Sequence, residues 1–163
     1  VDAFHGLSRA RSDARKFPAI HPLESWSHCK GIIDKEKVDE ARDILVRGDS
    51  VAQMMMVVGE DGTAMSEFIT YLKSEFLDSV YLQQDAFDEI DAACSADRQK
   101  YIFEKVFHVL RGDFQFRDKT SARQCFARLG QQFVDWHLQT YASDGFAALE
   151  ETIDKAIAEA LAS

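Results

Sequence analysis

Proline is scarce and confined to one end of the chain. Only two occur, Pro18 and Pro22, and none follows. A helix-interior proline loses a backbone hydrogen bond and clashes with the preceding turn, so everything after Leu23 is free to form long helices. Cysteine is nearly as rare. Cys29, Cys94 and Cys125 are odd in number and widely spaced, which excludes a disulfide framework or a C-x-x-C metal knuckle and fits a reducing compartment. No apolar run approaches the roughly 18 residues of a membrane-spanning helix. Asp2, His5, Arg9, Arg11 and Asp13 interrupt any signal-peptide core. Positive charge is also short, with 19 Lys and Arg against 28 Asp and Glu and a net charge of −9. A general grip on nucleic acid or on an anionic membrane surface needs the opposite balance. There is no G-x-x-x-x-G-K-S/T loop, no G-x-G-x-x-G and no G-x-S-x-G, hence no phosphate cradle or nucleophile elbow within the chain. The Glu-x-x-His pair of helical di-metal carboxylate proteins is missing too.

What is present is helix. At 163 residues, 46% hydrophobic and 29% charged, the chain is long enough for one self-sufficient core, burying roughly 70% of its unfolded surface. Residues 1–16 have moderate helical character, and Phe17–Ser25, with both prolines, reads as an extended loop. Val38, Ala41, Leu45 and Val46 make a one-sided stripe over 35–47, and Gly48 is expected to stop that helix. Asp49 or Ser50 then caps a second helix, Ser50 pairing with Gln53 in a capping box, up to Gly59. Gly59–Thr63 is a turn. Met65, Phe68, Ile69, Leu72, Phe76, Leu77 and Val80 recur at helical steps, followed by a break near 81–87 and a short helix to Ala93. Ser95 caps a helix over 96–110, ended by Gly112. Residues 113–119 form a polar-aromatic linker. Helices over 120–142 and from Phe146 to Leu161 flank the turn Ser143-Asp144-Gly145. The expected class is all-α, a bundle of about five to seven helices preceded by a short N-terminal helix and the proline loop.

Several residue groups invite a functional reading. His21, His28 and Cys29 lie close together but lack a second ligand pair, so no metal is expected. The Arg-Gly-Asp triplets at 47–49 and 111–113 read as a helix stop followed by a cap. Met54, Met55 and Met56 read as core filling. Phe17 and Phe87 differ, because each sits in a break between helices, where an aromatic face can stack on a base. Glu60, Asp61 and Glu67 make an acidic tip on a helix–turn–helix, suited to a basic partner.

These residues carry a resemblance. Phe17-Pro-Ala-Ile, Ser25-x-Ser27, Val58-Gly59, Tyr81-Leu-Gln-Gln-Asp-Ala-Phe87, Asp91 and Cys94-Ser95 resemble, in the same order, the FPAIN, SYS, LVG, FLQQNAF, D and CS elements of the catalytic A subunit (alpha chain) of V/A-type ATP synthases. The resemblance covers about residues 1–100 and fades beyond. Asp85 stands for the family's Asn, Tyr81 for Phe and His21 for Asn, and the segment between Ser27 and Val58 is shorter, as in a divergent bacterial branch. The related F-type beta subunit has YPAVDPL and FLSQPF at these places. The resemblance implies that Phe17, Pro18, Gln84, Ala86 and Phe87 flank the adenine of a bound nucleotide. It also implies that Glu60, Asp61 and Glu67 face the rotating central stalk. By the same resemblance, residues 1–27 are the tail of a nucleotide-binding domain and 28–163 a C-terminal helical bundle. ATP or ADP and Mg²⁺ belong to the complete subunit, whose phosphate loop and catalytic Glu lie upstream. No catalytic residue is expected in this stretch. The implied partners are the rest of the A subunit, the B subunits of the A3B3 ring and the central stalk, in a cytoplasmic complex peripheral to the membrane that moves H⁺ or Na⁺. The alternative is a stand-alone helical interaction module with no nucleotide role, whose Phe17 and Phe87 pack on different faces.

Overall fold

A computed structural model describes residues 3–27, 32–83, 87–92 and 94–162. Their architecture is a helical bundle with a small N-terminal annex. The annex holds β1 (Ala3–Phe4), α1 (Arg9–Asp13) and β2 (Trp26–Ser27). β1 and β2 pair antiparallel, Ala3 opposite Ser27 and Phe4 opposite Trp26, and a bridge joins Leu7 to Ile20. This ribbon was not expected. Two residues per strand are too few to show alternation, and the pairing partner lies far along the chain. Ser8 caps α1 by accepting the Arg11 N–H.

The bundle contains α2 (Lys35–Val58), α3 (Met65–Leu77), α4 (Glu89–Ala92), α5 (Ala96–Arg111), α6 (Lys119–His137) and α7 (Asp144–Leu161), with a π-helical turn over Asp78–Leu82 continuing α3. The side chains of Ser95, Asp118 and Ser143 cap α5, α6 and α7 by accepting the N–H of Arg98, Ser121 and Phe146. Phe68, Val106, Val109, Leu129, Phe133, Trp136 and Ile153 are almost wholly buried in one core. Aromatic edges knit it together: Phe76 meets Phe133 edge-on at 5.1 Å, and Trp136 stacks on Phe146 at 4.5 Å while its indole N–H donates to the Phe146 carbonyl at 3.0 Å.

Gly48 does not stop a helix; α2 runs through it unbroken. The glycine serves packing instead. A Cβ at position 48 would fall 2.0 Å from Ser74 Oγ and 2.2 Å from Ser74 Cβ, so its absence lets α2 and α3 approach closely. Asp49 and Ser50 consequently lie inside the helix and cap nothing: Asp49 accepts from the Gln53 amide at 2.8 Å, and Ser50 donates to the Val46 carbonyl at 3.0 Å. The stop-and-cap reading of the first Arg-Gly-Asp triplet is therefore wrong. At the second, Gly112 does end α5, but the following cap is Asp118, not Asp113. Residues 113–119 are no mere linker, since Phe114 is buried against Phe126, ring centroids 5.3 Å apart. The α6 helix ends at His137, short of 142.

Candidate functional site

Phe17 and Phe87 line the same cleft. It encloses about 570 Å³, and Arg15, Ser79, Val80, Gln83, Asp91 and His137 are among its walls. Three parts of the fold meet there: the proline loop, the π-turn after α3, and the junction of α4 with the end of α6. Phe17 and Phe87 are 52% and 98% exposed. Large aromatics are normally buried, so two that present their rings at one opening suit a flat ligand or a neighbouring surface. Pro18 is half-buried and is joined to Phe17 by a cis peptide bond. Gln84 and Ala86, the other expected pocket residues, lie outside the described residues, as does Asp85.

Each wall is held by a buried charged group. On the Phe17 side, Asp78 accepts from the Arg11 guanidinium and from Lys16 Nζ at 2.5 Å. On the Phe87 side, the buried Arg98 donates to the Ile90 carbonyl at 2.7 Å and to the His137 carbonyl, tying α4 to the end of α6. Arg42 pins the far end of the loop by donating to the Leu23 and Ser25 carbonyls at 2.7 and 3.1 Å. Burial, then the Arg98 charge, pushes the His137 imidazole down to a pKa of about 4, so it is neutral near pH 7, and its Nε2 has no hydrogen-bond partner among the described residues. Burial raises the Tyr81 phenol to about 12 and also raises the Cys94 thiol. A thiol held protonated is a poor nucleophile. Sequence reading missed Asp78, Arg98 and His137 as parts of this region. Each looks like an ordinary helix residue until its distant partner is known.

The acidic tip is only partly free. Glu60 pairs with Arg123 at 2.5 Å, and Lys119 Nζ donates to the Glu60 and Asp61 carbonyls. Asp61 and Glu67 are exposed. The end of α2 beside them is apolar: Met56 and Val57 are each 86% exposed and Val58 is 51%. Of the methionine triplet, Met55 packs against the core but Met56 does not, contrary to the core-filling expectation. Once α2 is a single helix, position 56 turns away from α3. His21 Nδ1 accepts the Glu24 N–H at 3.2 Å, while His28 and Cys29 lie outside the described residues. Among the described residues no three His, Cys, Asp or Glu side chains group as metal ligands, and no helix is long and apolar enough to cross a membrane.

Residues 35–114 match the model of a family described as the C-terminal domain of V and A type ATP synthase. The chain belongs to that family. The V-type ATP synthase alpha chain of Borreliella burgdorferi strain B31 is 52% identical to it over 157 residues, which is 96% of this chain and 27% of the relative. The alpha chain of Borrelia garinii is 50% identical over 157 residues, with the same two shares of 96% and 27%. That of Treponema denticola is 49% identical over 159 residues, 98% of this chain and 27% of its own length. The chain therefore spans about a quarter of the curated relatives it matches and corresponds to the part that carries their C-terminal domain. The alignments cover 96–98% of the chain, so they extend beyond residue 100 and include most of α6 and α7, whereas the family model matches only as far as residue 114.

Proposed function

We propose that in a full-length alpha chain this segment supplies one side of the adenine pocket and a lever toward the central stalk. It thereby helps to couple ATP hydrolysis or synthesis to H⁺ or Na⁺ transport. The reading is carried by one observation: Phe17 and Phe87, far apart in sequence, line one cleft of about 570 Å³, within the size range of small-molecule and cofactor sites. Aromatic faces hold a base by stacking, worth about 1–3 kcal/mol per base. They orient the nucleotide and do no chemistry. The phosphates and Mg²⁺ fall to other parts of the alpha chain, which is consistent with the lack of a phosphate-binding loop here. Residues 1–27 then belong with the nucleotide-binding domain and 28–163 form the bundle that moves with it.

At the far end, the α2–α3 turn presents Met56, Val57, Asp61 and Glu67 to solvent. An apolar patch rimmed by acids suits a partner with an apolar contact and basic surroundings. Because Glu60 is already paired with Arg123, the apolar residues carry more of this contact than the acidic tip alone would suggest. The partners are then the central stalk, the rest of the A subunit and the B subunits, in a complex peripheral to the membrane on its cytoplasmic side.

The test uses Phe17→Ala and Phe87→Ala in the assembled ATPase. Each raises the KM for ATP roughly 5- to 100-fold, the equivalent of one lost base stack. Unchanged KM values in both variants would refute the nucleotide reading. The 163-residue chain alone shows no Mg²⁺-dependent ATP turnover, and robust hydrolysis by it would be equally fatal.

A further inference from the structure

Asp78 is the one buried carboxylate among the described residues, 7% exposed. It opens the π-turn, a wider coil than α-helix and one often found at functional sites. Its two partners come from the N-terminal annex: the Arg11 guanidinium on one oxygen and Lys16 Nζ, at 2.5 Å, on the other. The Arg11 and Lys16 side chains are 12% and 29% exposed. The flanking residues share one purpose. Ser79 and Val80, next to Asp78, line the cleft, and so do Arg15 and Phe17, on either side of Lys16. A single carboxylate thus ties the wall that carries Phe17 to the wall built by the end of α3.

We propose that Asp78 is a positioning residue for the nucleotide site. Through Lys16 and Arg11 it sets where Phe17 stands relative to Phe87, without touching the nucleotide itself. This rests on the adenine-pocket reading above. Neutralising position 78 leaves two cations facing each other in a poorly solvated place, and the annex shifts to separate them. The stacking geometry loosens, while the groups that act on the phosphates lie elsewhere in the alpha chain. The effect therefore falls on KM more than on kcat.

The experiment compares Asp78→Asn, Asp78→Glu, Lys16→Met and Phe87→Ala in the full-length alpha chain within its assembled complex. The readouts are KM for ATP, kcat and the thermal midpoint. Asp78→Asn is expected to raise KM about five- to tenfold, the lower part of the loss of one base stack. Asp78→Glu, which keeps the charge, recovers most of that. Lys16→Met leaves the Arg11–Asp78 pair in place and so guards against a variant that fails to fold; it raises KM about two- to fivefold with little change in thermal midpoint. Combined with Phe87→Ala, the Asp78→Asn effect on KM shrinks, because both act on the same stack. If Phe87→Ala raises KM while Lys16→Met and Asp78→Asn leave it unchanged, the positioning role is overturned and the adenine pocket stands. If Phe87→Ala leaves KM unchanged, the positioning role is overturned, and the adenine pocket falls with it when Phe17→Ala also leaves KM unchanged.

Discussion

Replacing Gly48 with alanine tests the close approach of α2 and α3. In an exposed helix interior, Gly→Ala stabilises by about 0.8–1 kcal/mol, because alanine loses less backbone freedom on folding. Here the added Cβ would sit 2.0 Å from Ser74 Oγ and 2.2 Å from Ser74 Cβ. Carbon and oxygen atoms make normal contact well beyond 3 Å, so α2 and α3 must separate. Overpacking of this sort costs about 1–3 kcal/mol, and more when backbone has to move. The clash outweighs the propensity gain, and a net loss of about 1–2 kcal/mol is expected, lowering the thermal midpoint by roughly 3–8 °C at this chain length. The partner substitutions sharpen the test. Ser74→Ala keeps the Cβ at 2.2 Å and does not rescue Gly48→Ala. Ser74→Gly removes both offending atoms, leaving Cα at 3.7 Å, and does rescue it. Urea denaturation of the two singles and the double gives the coupling energy, expected to exceed about 1 kcal/mol in favour of the double. A Gly48→Ala variant with a raised midpoint and no coupling to Ser74→Gly would show that the close approach does not exist.

His137 makes stability depend on pH. Its folded pKa, about 4, lies below the ordinary value, so the unfolded chain binds the proton more readily. The stabilisation is full above about pH 6.5 and is lost as pH falls toward 4. It amounts to about 2 kcal/mol between pH 7 and 5. His137→Leu should flatten the fall in urea midpoint across that window, and an unaltered fall would contradict a buried neutral imidazole. Trp136→Ala should cost about 3–5 kcal/mol. Trp136→Phe, which shrinks the buried ring and removes the indole N–H that donates to the Phe146 carbonyl, should cost about 1–3 kcal/mol by chemical denaturation. Met56→Glu with Val57→Glu should change stability by under about 0.5 kcal/mol, since both side chains are 86% exposed. The pair should nevertheless weaken binding of the central stalk subunit in a pull-down or interferometry assay, and unchanged binding would remove the tip from the proposed interface.

Helix positions were legible wherever periodicity and a capping hydroxyl agreed. Ser95 marked the start of α5, the turn Ser143-Asp144-Gly145 bounded α7, and the stripe from Met65 to Val80 marked α3 and its continuation. Those signals are local, residing in the 3.6-residue repeat and in a side chain that reaches its own third N–H. The aromatic pair Phe17 and Phe87 was legible too, as rings left in helix breaks. Glycine was where sequence reasoning failed. Gly59 is a true stop, at φ +79°. Gly48 looks the same in sequence yet lies mid-helix, because what it lacks is measured against Ser74 on another helix. The pairing within the acidic tip was hidden for a related reason, since Glu60 finds Arg123 only once α6 has folded beside it.

By itself, then, the amino-acid sequence determined the helical class, most of the helix ends, the absence of a phosphate-binding loop from this stretch and the two aromatics left in helix breaks. Each follows from residues within a few turns of one another. Only the tertiary structure decided that α2 is one helix, that Asp78 and Arg98 hold the two walls of a shared cleft, and that Met56 and Val57 face outward. Those outcomes depend on charges and volumes brought together from distant parts of the chain. A buried ion needs its partner and a close-packed helix pair needs its missing Cβ, and neither requirement is written in the residues next door.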